Sequence, residues 1–140
     1  MKINTTTDAI DIDLAKTAIL VIDMQNAFIR EGAYFDAIGI DIQRMSSIVP
    51  VCKKTIDAAR ELGITIVFLK MTEYSQMPVE ADEMSPRLKK RAARLPLATQ
   101  QLNKNFYHKG SWGQQIIDEL RPQPQDIVIE KPRHDGFIDT

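Results

Sequence analysis

Apolar positions along the chain fall into unbroken runs and helical stripes, and together these predict a layered α/β domain. Ala18-Ile-Leu-Val-Ile22 is five apolar residues in succession, rich in β-branched types. Such a run predicts a strand of a parallel sheet, buried on both faces so that alternation is lost. Apolar residues at 45, 48, 49, 52, 56, 59 and 62 instead form one stripe at helical spacing. Ser47 is the predicted N-cap of that helix, Pro50 falls in its first turn, where the missing N–H does no harm, and Gly63 is its predicted stop. A second buried strand, Ile64-Thr-Ile-Val-Phe-Leu69, follows directly. Strand, helix, strand with short connections is a right-handed parallel crossover, so the expected architecture is a doubly wound parallel sheet. Asp126-Ile-Val-Ile-Glu130 supplies a third core strand.

The remaining segments are less periodic. Residues 1–16 alternate acidic and aliphatic residues, as in an extended lead-in or an edge strand. Residues 27–39, with glycines at 32 and 39, read as a loop. From Lys70 to Met84 the chain is irregular and mildly acidic. Ser85-Pro86 then caps a basic helix over Arg87–Arg94 that ends before Pro96. The whole stretch 71–110 is long for a connection, as lids and binding loops are. Ser111 caps a predicted short helix with Ile116, Ile117 and Leu120 inward, ended by Pro122 and Pro124.

Composition narrows the function classes. At 140 residues the chain fits a single domain, 1–140, able to bury roughly two-thirds of its unfolded surface. A net charge of -1, with 26% charged residues, gives no reason to expect nucleic acid or an anionic membrane as partner. The basic run 87–94, without interleaved aromatics, reads as a solvated face or an oligomer contact. No secretory leader or spanning segment is evident, which places the chain in the cytoplasm. One cysteine and two histidines form no cluster at zinc-like spacing, so neither a metal site nor a cofactor is called for.

Two charges stand out by position. Asp23 ends the first apolar run, at the strand edge where open α/β sheets place ligand crevices, although a carboxylate there can also simply cap a turn. Lys131 stands at the end of the third strand, held extended by Pro132. At about 4 Å and an effective dielectric near 20, such a pair attracts by about 4 kcal/mol. It is then either a structural salt bridge or two-thirds of a nucleophilic site, in which the carboxylate takes a proton and the ammonium steadies the resulting anion. Cys52 lies in the helical stripe, where a cysteine is usually a small buried apolar residue.

These residues are also recognisable as a set. Ala-Ile-Leu-Val-Ile-Asp23-Met-Gln-Asn and Lys131-Pro-Arg-His-Asp-Gly-Phe137 resemble the signature segments of the isochorismatase-like cysteine hydrolase superfamily, over most of the chain from about residue 16. Lys109-Gly-Ser-Trp112, Glu119-Leu-Arg-Pro-Gln-Pro124 and Asp126-Ile-Val128 look most like its ureidoacrylate amidohydrolase branch. The resemblance implies a Rossmann-like α/β layer and hydrolysis of a C–N amide or ureido bond in a small molecule through a cysteine thioester. Asp23 would be the general base and then the general acid, and Lys131 would lower the thiol pKa. Gln25 and Asn26 would be amide-recognising neighbours, and Phe28 and Tyr34 would line the pocket, unless they only stabilise the loop and pack against the lid.

Two departures temper this. The family's nucleophilic cysteine follows the lysine strand, and the sequence reaches Thr140 without it, so the domain is expected to be incomplete at its C-terminal side and inactive by itself. Lys70-Met-Thr-Glu73 and His134 also stand where the branch carries other residue types, which leaves the substrate open. Vinyl-ether hydrolysis of the isochorismatase type and an inactive homologue or assembly module are the alternatives. A half-sheet would expose an apolar edge, so association into a homo-oligomer is expected.

Overall fold

The computed structural model describes residues 1–73, 106–138 and 140. The expected basic helix over Arg87–Arg94, and most of the long excursion that contains it, lie outside the described residues. The N-terminal segment forms a small antiparallel sheet of β1 (Lys2–Asn4) and β2 (Ala9–Asp11), with Ile3 opposite Ile10. The three apolar runs form a parallel sheet of β3 (Ala18–Ile22), β4 (Thr65–Met71) and β5 (Ile127–Lys131), in that order. Its register sets Ile22 opposite Leu69 and Met71 opposite Lys131. β4 therefore runs two residues beyond the expected Leu69, and Lys131 is the last residue of its strand rather than the one after it.

One face of the sheet packs on α4 (Val49–Glu61). Val49, Ile56 and Ala59 of α4 meet Val21, Ile66 and Phe68, with Ile117 and Leu120 closing the same core. Each large side chain buried here contributes roughly 1.5–3 kcal/mol. The opposite face departs from the expectation of burial on both sides. Leu20, Ile22 and Ile127 remain about half exposed, because α4 covers only the side that carries Val21.

Around α4 the helix boundaries differ from those the stripe predicts. Residues 42 to 46 form a separate α3 (Ile42–Ser46), capped by the Asp41 carboxylate, which accepts from Arg44 N at 3.1 Å. Ser47 ends α3, and Ile48 stands at the N-cap of α4. Of the stripe, Val49, Cys52, Ile56 and Ala59 join the core, whereas Ile48 and Leu62 are about half exposed, so apolar spacing continues across a break in the helix axis. Pro50 does sit in the first turn of α4, and Gly63, at φ +70°, takes the left-handed stop that costs other residues about 1 kcal/mol or more. Within the expected loop 27–39 the chain makes two one-turn helices, α1 (Asn26–Ile29) and α2 (Tyr34–Ala37).

No helix forms over 111–117, and only the 3-10 turn Asp118–Leu120 remains of the predicted element. The backbone here bonds to another segment rather than to itself. Asn26 N donates to Gln115 O, Ala27 N to Gly113 O and Ile117 N to Met24 O, each at 3.0–3.1 Å. The segment thus clamps the loop that leaves β3, while Ile117 and Leu120 still point inward as their spacing predicts.

The end of α4 is fixed to the start of β5 by Arg60 and Asp126, whose guanidinium and carboxylate meet at 2.5 Å with side chains 14% and 1% exposed. Burial pushes the Asp126 carboxyl up, but the Arg60 hydrogen bond, the Gln123 amide and the Arg60 charge outweigh it and hold the pKa below its ordinary 3.8. Stability from this pair is therefore complete above about pH 4 and lost as the pH falls through the lower folded value. Arg60→Ala is expected to cost about 3 kcal/mol at pH 7, because the carboxylate stays buried without its partner. Urea unfolding should give a smaller difference between variant and wild type at pH 2.5 than at pH 7. Equal differences at the two pH values would contradict this account.

Candidate active site

β3 ends at Ile22, and at Asp23 the chain leaves the sheet abruptly. Asp23 N still donates to Leu69 O at 2.9 Å, but Asp23 has φ +56° and its carbonyl accepts from Gln25 N at 2.8 Å, a tight reversal. The left-handed region is costly for most residues and tolerable for Asp. This reversal turns the Asp23 carboxylate along the end of the sheet instead of into the core.

From two strands away, Lys131 reaches back across the end of β4. Outer strands of a three-stranded sheet lie roughly 10 Å apart, a gap that a lysine side chain and an aspartate span together. Lys131 Nζ lies 3.0 Å from Asp23 Oδ1, donates to Oδ2 at 3.2 Å, and is 3.5 Å from the Arg133 carbonyl oxygen. The expected pair is thus present at one rim, and the turn-capping alternative for Asp23 falls away. The lysine side chain is 1% exposed and the aspartate 33%, so solvent reaches only the carboxylate. Gross attraction at this separation is about 5 kcal/mol at a dielectric near 20. Removing the ammonium from water costs several kcal/mol, so the pair adds little net stability and serves mainly to hold two charges in place.

Asp23 Oδ1 is buried and receives no hydrogen bond from the described residues, although it lies beside the ammonium.

The other expected site residues are placed differently. Gln25 is fully buried, and its Nε2 donates to Met71 O at 2.9 Å and Gln114 O at 2.8 Å while Oε1 accepts from Met71 N at 2.6 Å. Every polar atom of its amide thus bonds to backbone, as the loop-stabilising alternative expects. Asn26 is buried as well and donates from Nδ2 to Trp112 O at 2.9 Å. Phe28 and Tyr34 are half-buried in a ring cluster with Phe35, Phe106 and Tyr107, with centroid separations of 4.8–6.4 Å. This cluster packs against Met71, at the end of β4 beside the pair.

Sequence reasoning missed a polar network at the same rim. Buried Gln114 donates to Thr72 Oγ1 at 2.7 Å and to Glu130 Oε1 at 3.3 Å, and its own oxygen accepts from Gly110 N. Lys70 and Lys109 hold the Glu130 carboxylate from both sides, at 3.3 and 3.2 Å. Gln114 and Thr72 sit in segments without periodicity, so no local signal sets them apart from solvated loop residues. Cys52 is on α4, packed against the core.

A parallel sheet with a helix packed on one face, and with a buried ammonium and an accessible carboxylate paired at its carboxyl rim, defines an open-sheet α/β domain. The chain belongs to the isochorismatase family, whose domain matches residues 17–140. It is 37% identical over 134 residues to the ureidoacrylate amidohydrolase RutB of Acinetobacter baylyi, covering 95% of this chain and 55% of that protein. The RutB of Yersinia enterocolitica is 36% identical over 141 residues, covering all of this chain and 61% of its own. The chain therefore spans a little over half the length of the curated relatives it matches. Among solved structures, an isochorismatase-like hydrolase from Alkaliphilus metalliredigens superposes with a TM-score of 0.57 at 27% identity, covering 89% of this chain and 53% of that one.

Proposed function

We propose that this domain takes part in hydrolysis of a C–N bond in a small amide or ureido compound through a thioester, with Asp23 transferring the proton and Lys131 as its partner. The observation that carries the reading is the pair at 3.0 Å, with the ammonium enclosed and the carboxylate open to solvent. The names of the two curated relatives support the bond class. In this scheme Asp23 takes the proton of a thiol, and the thiolate attacks the carbonyl carbon of the substrate. The C–N bond breaks as the nitrogen accepts that proton from Asp23, and water then hydrolyses the thioester. Lys131 favours the thiolate electrostatically. Cys52, the one cysteine of the sequence, faces the core from α4, so this reading draws the thiol from polypeptide other than residues 1–140.

The test is ammonia release from small ureido and primary amide compounds by the protein translated from its whole reading frame. Asp23→Asn is expected to lower kcat/KM by about a hundredfold or more, whereas Cys52→Ala leaves it unchanged. Turnover that persists in Asp23→Asn, or that vanishes in Cys52→Ala, overturns the reading. A cytoplasmic homo-oligomer completes it, supported by the half-exposed Leu20, Ile22 and Ile127, since contiguous apolar surface marks contact sites. Light scattering is expected to give a mass above that of one chain, and Leu20→Lys to lower it.

A further inference from the structure

β4 continues past the point where β3 leaves the sheet, and something must satisfy the backbone that β3 abandons. In the parallel ladder Ile22 stands opposite Leu69, so Met71 is the next β4 residue whose N–H and C=O face the β3 side. Asp23 N bonds to Leu69 O and the chain then turns away, leaving both polar groups of Met71 without a strand. The Gln25 carboxamide fills that place. Its Oε1 accepts from Met71 N and its Nε2 donates to Met71 O, the two bonds that successive peptide groups of a longer β3 would make. A third bond, from Nε2 to Gln114 O, ties the same amide to the clamp segment.

We infer that Gln25 is a positioning residue whose side-chain amide stands in for the missing β3 backbone, so that Asp23 can reverse in the left-handed region and meet Lys131 across the end of β4. The geometry supplies the link at each step. Met71 is opposite Lys131 on its other flank, and Thr72 N donates to Lys131 O at 3.0 Å. The strand end that Gln25 braces is therefore the strand end on which Lys131 is registered. Asp23 is two residues before Gln25 and bonded to it through the reversal. Without the amide, extending β3 through Asp23 would supply those two bonds to Met71, and it would swing the carboxylate out of line with Nζ. Any consequence for turnover rests on the function proposed above; the consequence for the pair does not.

The experiment reads the pair directly, without turnover. Hydrogen exchange of the Met71 amide and the ¹⁵Nζ resonance of Lys131, which a buried and paired ammonium retains, are compared in wild type, Gln25→Leu, Gln25→Glu and Gln114→Leu. In Gln25→Leu the Met71 amide is expected to exchange about tenfold faster than in wild type, with the Phe68 amide unchanged, and the Lys131 signal to be lost to exchange. Gln25→Glu has the same shape and keeps the acceptor for Met71 N–H but loses both donated bonds. It should retain Met71 protection and still lose the Lys131 signal, so the idea remains open to refutation if the leucine variant does not fold. Gln114→Leu removes side-chain bonds of the clamp but leaves the Gln25 amide in place, and should keep the Lys131 signal. A Lys131 signal preserved in Gln25→Glu, or lost equally in Gln114→Leu, overturns the inference. Failure of the amidase assay with the Lys131 signal behaving as expected would refute the proposed function alone.

Discussion

Asp23→Asn is expected to lower the unfolding free energy by about 3 kcal/mol, and Lys131→Met added to it should restore most of that loss. Asparagine is the same size and accepts the left-handed backbone at least as well, so the substitution changes charge and leaves the turn alone. What it leaves behind is an ammonium with 1% exposure and no counter-charge. Methionine removes that ammonium while filling a similar volume, and a buried ion pair replaced by apolar side chains is often neutral in stability. Denaturant unfolding of the wild type, both single variants and the double variant closes a cycle, with an expected coupling of up to about 3 kcal/mol. An equal cost of Asp23→Asn with and without Lys131 would refute the pairing. Under the proposed function, activity should follow a different course from stability, the double variant regaining its fold without regaining turnover.

The second large effect lies at Gly113. A Cβ there would come 1.7 Å from the Phe106 carbonyl oxygen and 2.9 Å from its carbon, and these are backbone atoms that no rotamer change can move aside. Gly113→Ala is expected to cost about 3 kcal/mol or more and to disturb the ring cluster, since Phe106 and Tyr107 would have to shift against Phe28 and Tyr34. Near-ultraviolet circular dichroism reads the rings and thermal unfolding reads the stability. Gly110→Ala is the comparison, for nothing lies within 4 Å of its added carbon and only the φ of +83° opposes it. Its cost should be about 1–2 kcal/mol. Similar losses at the two glycines would mean that the close approach to Phe106 is not the cause.

The three core strands and the two paired charges were legible because each signal was local. An apolar run that stops on Asp23, and another that stops at Lys131, mark a sheet rim without any knowledge of distant contacts. Helix α4 was legible for the same reason, through its stripe and its terminal glycine. The N-cap at Ser47 failed because apolar residues at helical spacing continue across the junction of α3 and α4, and a pattern of spacing cannot show where the axis breaks. The predicted helix after Ser111 failed because that backbone spends its hydrogen bonds on residues 24–27, nearly ninety positions earlier. For Gln25 the sequence left ligand recognition and loop stabilisation open for a related reason. An amide aimed at a substrate and one aimed at a neighbouring strand look alike until the strand's register is known.

The partners of the central pair lie 108 residues apart in sequence. Contacts of such separation form late, after the loop between them has been closed. On a ribosome the first strand and its helix can pack on the second while the lysine has yet to be made, and the carboxylate waits without its cation. The pair at this rim thus forms only once the third strand has been made, and a product arrested before that strand would hold its carboxylate without the partner charge.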